Sequence, residues 1–141
     1  MREIVELTTD ADLRQAWPVM RELRTHLDED AFLDLVGRMR PDGYRLFALR
    51  DAGEIVALAG ITVTTNLYDL RHVWVYDLVT RADRRSEGHG QALLEWVEEF
   101  GRREGCERIA LSSGVQRIDA HRFYERKLGY ARVSHVFRKT L

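Results

Sequence analysis

The sequence predicts one domain of the α+β class, a mixed sheet flanked by helices. Three observations predict it. The middle of the chain, residues 44–80, is rich in β-branched and aromatic residues and is interrupted only by turn signals. Helical stripes precede it, and a strand, glycine-rich loop, helix, strand, helix, strand succession follows it. Hairpins followed by a βαβαβ tail require strands of both directions in one sheet. With 141 residues, of which 45% are hydrophobic, the chain can build one proper core and is short for two, so residues 1–141 are expected to form a single domain.

IVEL (4–7) is a short strand, and Thr9 with Asp12 has the spacing of a capping box. That box opens a helix with Leu13, Trp17, Met20 and Leu27 on one face, which Pro18 should bend or delay. After the acidic stretch Asp28–Asp30, residues Phe32, Leu35, Val36 and Met39 make a second stripe, closed by Pro41, Asp42 and Gly43. Strands are expected at 44–49, 54–64 and 71–80, joined by turns at 51–53 and 66–69. A helix follows with Leu93, Leu94, Val97 and Phe100 inward, then a strand at 108–113, a helix near 119–126 and, after Gly129, a last strand over 130–141. The order is therefore β-α-α-β-β-β-α-β-α-β.

Composition removes several classes of function. The 22 basic and 23 acidic residues nearly balance, so there is no global field for non-specific binding to nucleic acid or a membrane surface. Cys106 is the only cysteine, which rules out an intrachain disulfide, and the five histidines show no metal-ligand spacing, so no metal is expected. No segment reaches the roughly 20 apolar residues of a membrane span, and the acidic N-terminus lacks a signal-peptide core. A cytoplasmic location is the expectation.

The informative stretch is RRSEGHGQALLEW (84–96), in which two arginines and two glycines stand at the mouth of a helix. The first N–H groups of a helix have no partners within it, and the aligned peptide dipoles make that end partly positive. Gly88 and Gly90 let an anion approach bare backbone, and Arg84 and Arg85 add charge. The glycines alone fit a plain tight turn equally well. A P-loop is excluded because Gln91 and Ala92 stand where Lys and Ser/Thr belong, and a dinucleotide fingerprint because Leu93 is too large.

The stretch DLVTRADRRSEGHGQALL (77–94) resembles the acetyl-CoA motif of the GNAT superfamily of N-acetyltransferases, with Arg85, Gly88 and Gly90 at its defining positions. AHRFYERKLGY (120–130) is similar to the C-terminal signature of the same superfamily. The resemblance implies the GNAT-type acyl-CoA N-acyltransferase fold, whose central strands splay around acetyl-CoA. It places the pyrophosphate on the backbone of Ser86, Glu87, Gly88, His89, Gly90 and Gln91, and the pantetheine arm along Leu78, Val79 and Thr80. Arg117 stands where many members carry a cofactor-contacting Asn; Ser112, Ser113 and Arg117 are the alternative polar contacts, or else a polar turn.

Amine acetylation needs a group to take the amine proton, donors for the developing oxyanion and a proton for the departing thiolate. Tyr124 matches the family's thiolate-protonating tyrosine. Asp77 is the first candidate for the base: alternation on its strand groups it with Val75 and Val79, where burial would favour proton uptake, unless one of the nearby arginines pairs with it. His72 and His121 are the alternatives. The expected activity is transfer of acetyl from acetyl-CoA to a primary amine of a small molecule or peptide in a ternary complex; a non-catalytic acyl-CoA-binding regulatory module is the other reading. Asp28, Glu29, Asp30 and Asp34 suit either a cationic acceptor or a helix start. A homodimer is compatible with all of this.

Overall fold

The structure is a computed structural model and describes residues 1–141. The chain packs as two compact units, Met1–Ala110 and Leu111–Leu141.

In the first unit the chain runs β1 (Arg2–Leu7), α1 (Asp10–Met20), α2 (Glu29–Met39), β2 (Arg45–Asp51), β3 (Glu54–Asn66), β4 (Leu70–Thr80) and α3 (His89–Arg103), and it ends within β5 (Arg108–Leu111), whose last residue is the first of the second unit. The five strands lie in the order in which they occur, antiparallel from β1 to β4. The helical connection through α3 then delivers β5 beside β4. The sheet is mixed and the class is α+β.

Alternation along the strands divides the core. Leu46 and Ala48 of β2 and Leu58 of β3 face Leu13, Ala16 and Met20 of α1 and Phe32 and Val36 of α2. Phe47, between them in sequence, turns to the other face, where it meets Trp96 at 4.8 Å and Phe100 at 5.7 Å on α3. Leu93, Leu94, Val97 and Phe100 of α3 are buried as their spacing requires, each side chain contributing about 2 kcal/mol. The capping box is present: the Thr9 side chain accepts from the Asp12 amide, and the Asp12 carboxylate accepts from the Thr9 amide.

Helix α1 stops at Met20, two residues after Pro18, so Leu27 lies beyond it rather than on its apolar face. On α2 the inward residues are Phe32 and Val36 with Leu33 beside them, whereas Leu35 is 39% exposed. Both shifts follow from where each helix starts and stops, which fixes the face a given residue shares.

Two β-bulges interrupt the ladders. In the β3–β4 pair, Gly60 lies opposite Asp77 and Ile61 opposite Val75, so Tyr76 is one residue in excess. Because Gly60 and Ile61 are consecutive, their partners face opposite sides of the sheet. The expected grouping of Val75, Asp77 and Val79 on one face is therefore incorrect. Val79 and Asp77 face α1 and α2, where Val79 joins the core and Asp77 meets Tyr44, while Val73 packs against Gly101 of α3 and Val75 shares its side.

The four residues of β5 are spent early. The Glu107 amide, just before β5, donates to the Arg71 carbonyl at 2.8 Å, so β5 begins beside the start of β4. With eleven residues against four, β4 is covered by β5 over only part of its length.

The second unit contains α4 (Ile118–Arg122), which widens into a π turn over Phe123–Lys127. Gly129, at a φ of 74°, reverses the chain so that the Tyr130 amide donates to the Tyr124 carbonyl at 2.9 Å, one residue wider than a Schellman closure, as the preceding π turn requires. The strand expected over 130–141 is not formed. Val133, Val136 and Phe137 are exposed, and β-propensity without a ladder partner makes no strand.

Gly60 and Gly37 make opposite predictions. A Cβ on Gly60 would lie 2.0 Å from the Tyr44 hydroxyl and 2.5 Å from Asp77 Oδ2, so Gly60→Ala should lower unfolding free energy in urea by about 3 kcal/mol. Gly37 lies within α2 with nothing within 4 Å of a Cβ, and Gly37→Ala should raise stability by about 0.5–1 kcal/mol. Equal effects at the two positions would contradict the packing described for β4.

Candidate active site

The loop from β4 to α3 is built for backbone rather than side-chain contact. After a 3-10 turn at Ala82–Arg84, Ser86 takes a φ of 66° and Gly88 a φ of 83°, two left-handed residues within three positions. A serine held there is strained, the kind of departure that clusters at ligand sites. Gly88 is the N-cap of α3 and offers no side chain, and the first helical bond runs from the Ala92 amide to the Gly88 carbonyl at 3.0 Å. The earlier amides are left without an intrahelical partner. Gly90 is required for space, since a Cβ there would lie 2.9 Å from Thr80 Oγ1. These features fit a diphosphate on the amides of 86–91.

The side chains of the loop are less available than their sequence suggests. Arg84 is not free to meet an anion: its guanidinium is bound to the carboxylates of Asp51 and Glu87. That pairing holds the acids of both Asp51 and Glu87 below the usual carboxylate range. His89 is buried, with Nε2 3.1 Å from Glu87 and Nδ1 without a partner. Arg85 is exposed, its only side-chain bond a long one of 3.4 Å to the Thr80 carbonyl, and it is the loop's available cation.

At the bulge, Asp77 is the centre of a buried network. Its Oδ1 accepts from Arg24 Nε at 2.9 Å and lies 2.8 Å from Arg24 Nη2, and its Oδ2 accepts from the Tyr44 hydroxyl at 2.7 Å. Arg24 Nη2 also donates to the Tyr76 carbonyl at 2.7 Å. Burial, reinforced by the Asp77 charge, pushes the Tyr44 phenol well above its ordinary range, so it is a hydrogen-bond donor at any physiological pH. Asp77 thus pairs with an arginine, but with one 53 residues away rather than with a neighbour in the 81–85 run. Arg24, Tyr44 and Gly60 have no motif spacing to announce them. The one signal is a glycine inside an otherwise β-branched run, which marks a bulge or a close approach.

The remaining candidates sort by position. Leu78 and Thr80 are half-buried and Val79 is buried at the C-terminal end of β4. His72 is buried with Nδ1 2.8 Å from the Leu70 carbonyl, a structural role. In the second unit, Tyr124 is half-buried between the rings of Phe123 at 5.5 Å and Tyr130 at 5.9 Å, and burial raises its phenol above the ordinary value. His121 lies 3.0 Å from the Gly114 carbonyl, while Ser112 and Arg117 are exposed. No group of three or more His, Cys, Asp or Glu side chains is placed to hold a metal ion, and no helix is long and apolar enough to cross a membrane.

Comparison with known proteins gives the same architecture a family. The model of the acetyltransferase (GNAT) family matches residues 5–130. An uncharacterized N-acetyltransferase, YhdJ, of Bacillus subtilis is 39% identical over 140 residues, covering 99% of each chain. The aminoalkylphosphonate N-acetyltransferase of Salmonella typhimurium is 34% identical over 122 residues, covering 84% of this chain and 78% of its own. Among solved structures, the aminoglycoside N-acetyltransferase AAC(6')-Iy in complex with CoA superposes with a TM-score of 0.86 at 15% identity, covering 100% of this chain and 95% of that one. With the family model matched over residues 5–130 and a relative 39% identical along almost the whole chain, the chain belongs to the GNAT family of acetyltransferases.

Proposed function

We propose that the protein transfers the acetyl group of acetyl-CoA to a primary amine of a small molecule or peptide by direct attack in a ternary complex. The observation that carries this reading is the glycine-capped start of α3, its first amides without an intrahelical partner, following an eleven-residue strand whose neighbour β5 has only four residues. The amides of 86–91 would hold the pyrophosphate, Arg85 would add charge, and the backbone of Leu78–Thr80 would pair with the pantetheine arm. Acetyl-CoA supplies an activated acyl thioester.

The C–N bond forms as the C–S bond breaks. One amine proton leaves by way of water to Asp77, whose Oδ2 retains a lone pair beside its bond from Tyr44. The sulfur gains a proton from Tyr124, a phenol that burial keeps protonated at neutral pH and that solvent then replenishes. The ion pair with Arg24 favours a second role for Asp77, as the anchor of that guanidinium. A cytoplasmic location and binding of the amine without a metal go with this proposal.

Three measurements check it. Gly88→Glu should weaken acetyl-CoA binding about a hundredfold by calorimetry, about 2.7 kcal/mol, and unchanged affinity in a folded variant would remove the site. Tyr124→Phe should lower kcat roughly ten- to a thousandfold with acetyl-CoA affinity little altered; a variant that is active but less stable would make Tyr124 a packing residue. Asp77→Asn should depress the rate most at low pH if Asp77 takes the proton, whereas a uniformly lowered profile assigns it to anchoring Arg24. Tight acetyl-CoA binding with no transfer to any amine would leave the regulatory-module reading.

A further inference from the structure

We infer that Arg24 selects the acceptor: the amine substrate carries an anionic oxygen group, a carboxylate or phosphonate, which binds the free edge of the Arg24 guanidinium. The inference rests on the acetyltransferase reading above and concerns only the acceptor.

Arg24 lies in the loop between α1 and α2, and the loop is fixed in place. Glu22 accepts the Ala82 amide at 2.8 Å, tying it to the start of the β4–α3 loop. The Arg24 side chain then reaches the bulge, where Nε and Nη2 are held by Asp77 and by the Tyr76 carbonyl. Its Nη1 has no partner, and the side chain is 37% exposed. A guanidinium held along one edge and open along the other is a pre-oriented donor for an oxyanion, and little further rotamer entropy is lost when one binds.

The carboxylates that would favour a cationic acceptor each have a partner of their own. Asp28 caps α2 by accepting from the Ala31 amide at 2.8 Å. Glu29 and Asp30 pair with Arg14 at 3.5 and 3.8 Å, and Asp34 pairs with Arg38 at 3.0 Å. Of the two acids in the loop itself, Glu22 is used by the Ala82 amide and Asp28 by the Ala31 amide, while Arg21 is exposed on the same loop. The acidic stretch 28–34 is thus a helix start with its own partners, and the unsatisfied donor beside β4 is positive.

The position suits the reaction. At about 3.3 Å per residue, Thr80 to Tyr76 spans about 13 Å of strand, so an acyl group carried along this edge away from the α3 amides arrives at the bulge. The ring of Tyr76, 42% exposed and 5.7 Å from that of Tyr44, walls the same place. A short amine with its anion on Arg24 Nη1 would have its nitrogen held near the bulge.

The test compares acceptors of similar length, with transfer read by product mass. β-Alanine and 2-aminoethylphosphonate should be acetylated with kcat/KM at least tenfold above ethanolamine and propylamine. Arg24→Gln should collapse that ratio towards one, and Arg24→Lys, which keeps charge but loses the fork, should leave it intermediate. Acetyl-CoA affinity, measured separately, should not follow the ratio. In the unaltered protein, propionate and ethylphosphonate should compete with the acceptor amine and not with acetyl-CoA, an arm that needs no variant to fold. Transfer with no preference for the anionic amines, or no inhibition by either amine-free anion, overturns this inference while leaving the acetyltransferase reading intact. Absence of acetyl-CoA binding would instead remove the reading on which it rests.

Discussion

Tyr76 is one residue more than the β3 ladder can pair, and that surplus decides what happens at the C-terminal end of β4. Ahead of it the inward residues of β4 face α3; beyond it they face α1 and α2. The flip delivers Asp77 to Tyr44 and Arg24, and it requires Gly60 opposite, because any side chain there would occupy the space of the Tyr44 hydroxyl. A charged group buried on one side of a sheet is tolerated only when its partners are in place. The bulge is therefore coupled to a loop more than fifty residues earlier, and the position of the α1–α2 loop is a consequence of the register of β3 against β4.

The same stretch of strand leads into the anion loop, and there the division of labour is between backbone and side chains. Arg84 is bound to Asp51 and Glu87, so its charge secures the shape of the loop. What remains available is the row of amides at the start of α3 and the exposed Arg85. Two left-handed residues, Ser86 and Gly88, set the course of the loop. Glycine at 88 carries no conformational penalty and serine at 86 carries one, so part of the loop's shape is held by its surroundings.

Much of this was legible in the sequence. The strands at 44–49, 54–64 and 71–80 are those observed to within two residues at most boundaries, and the apolar residues of α3 face the core as their spacing indicates. Local patterns report local structure, which is why the capping box of α1 and the turns also read correctly. The failures have physical causes. Period-two alternation holds only along an uninterrupted ladder, so one surplus residue misplaced Val75 relative to Asp77. The Asp77 partner comes from a loop with no pattern of its own, and the pairing of Arg84 with Asp51 spans 33 residues. The segment 130–141 has strand composition but no ladder, and composition cannot supply the neighbour. The family motifs mark the β4–α3 loop because the contacts proposed there reside in consecutive residues; those proposed for the acceptor come from distant residues and leave no such pattern.

The account depends most on the claim that the free backbone after the bulge is where acetyl-CoA lies. Amide NMR spectra recorded during titration with acetyl-CoA test it directly. The largest shifts should fall on the amides of 86–91, with a second group at Leu78–Thr80. Saturable binding that leaves those amides unmoved and shifts others would contradict it.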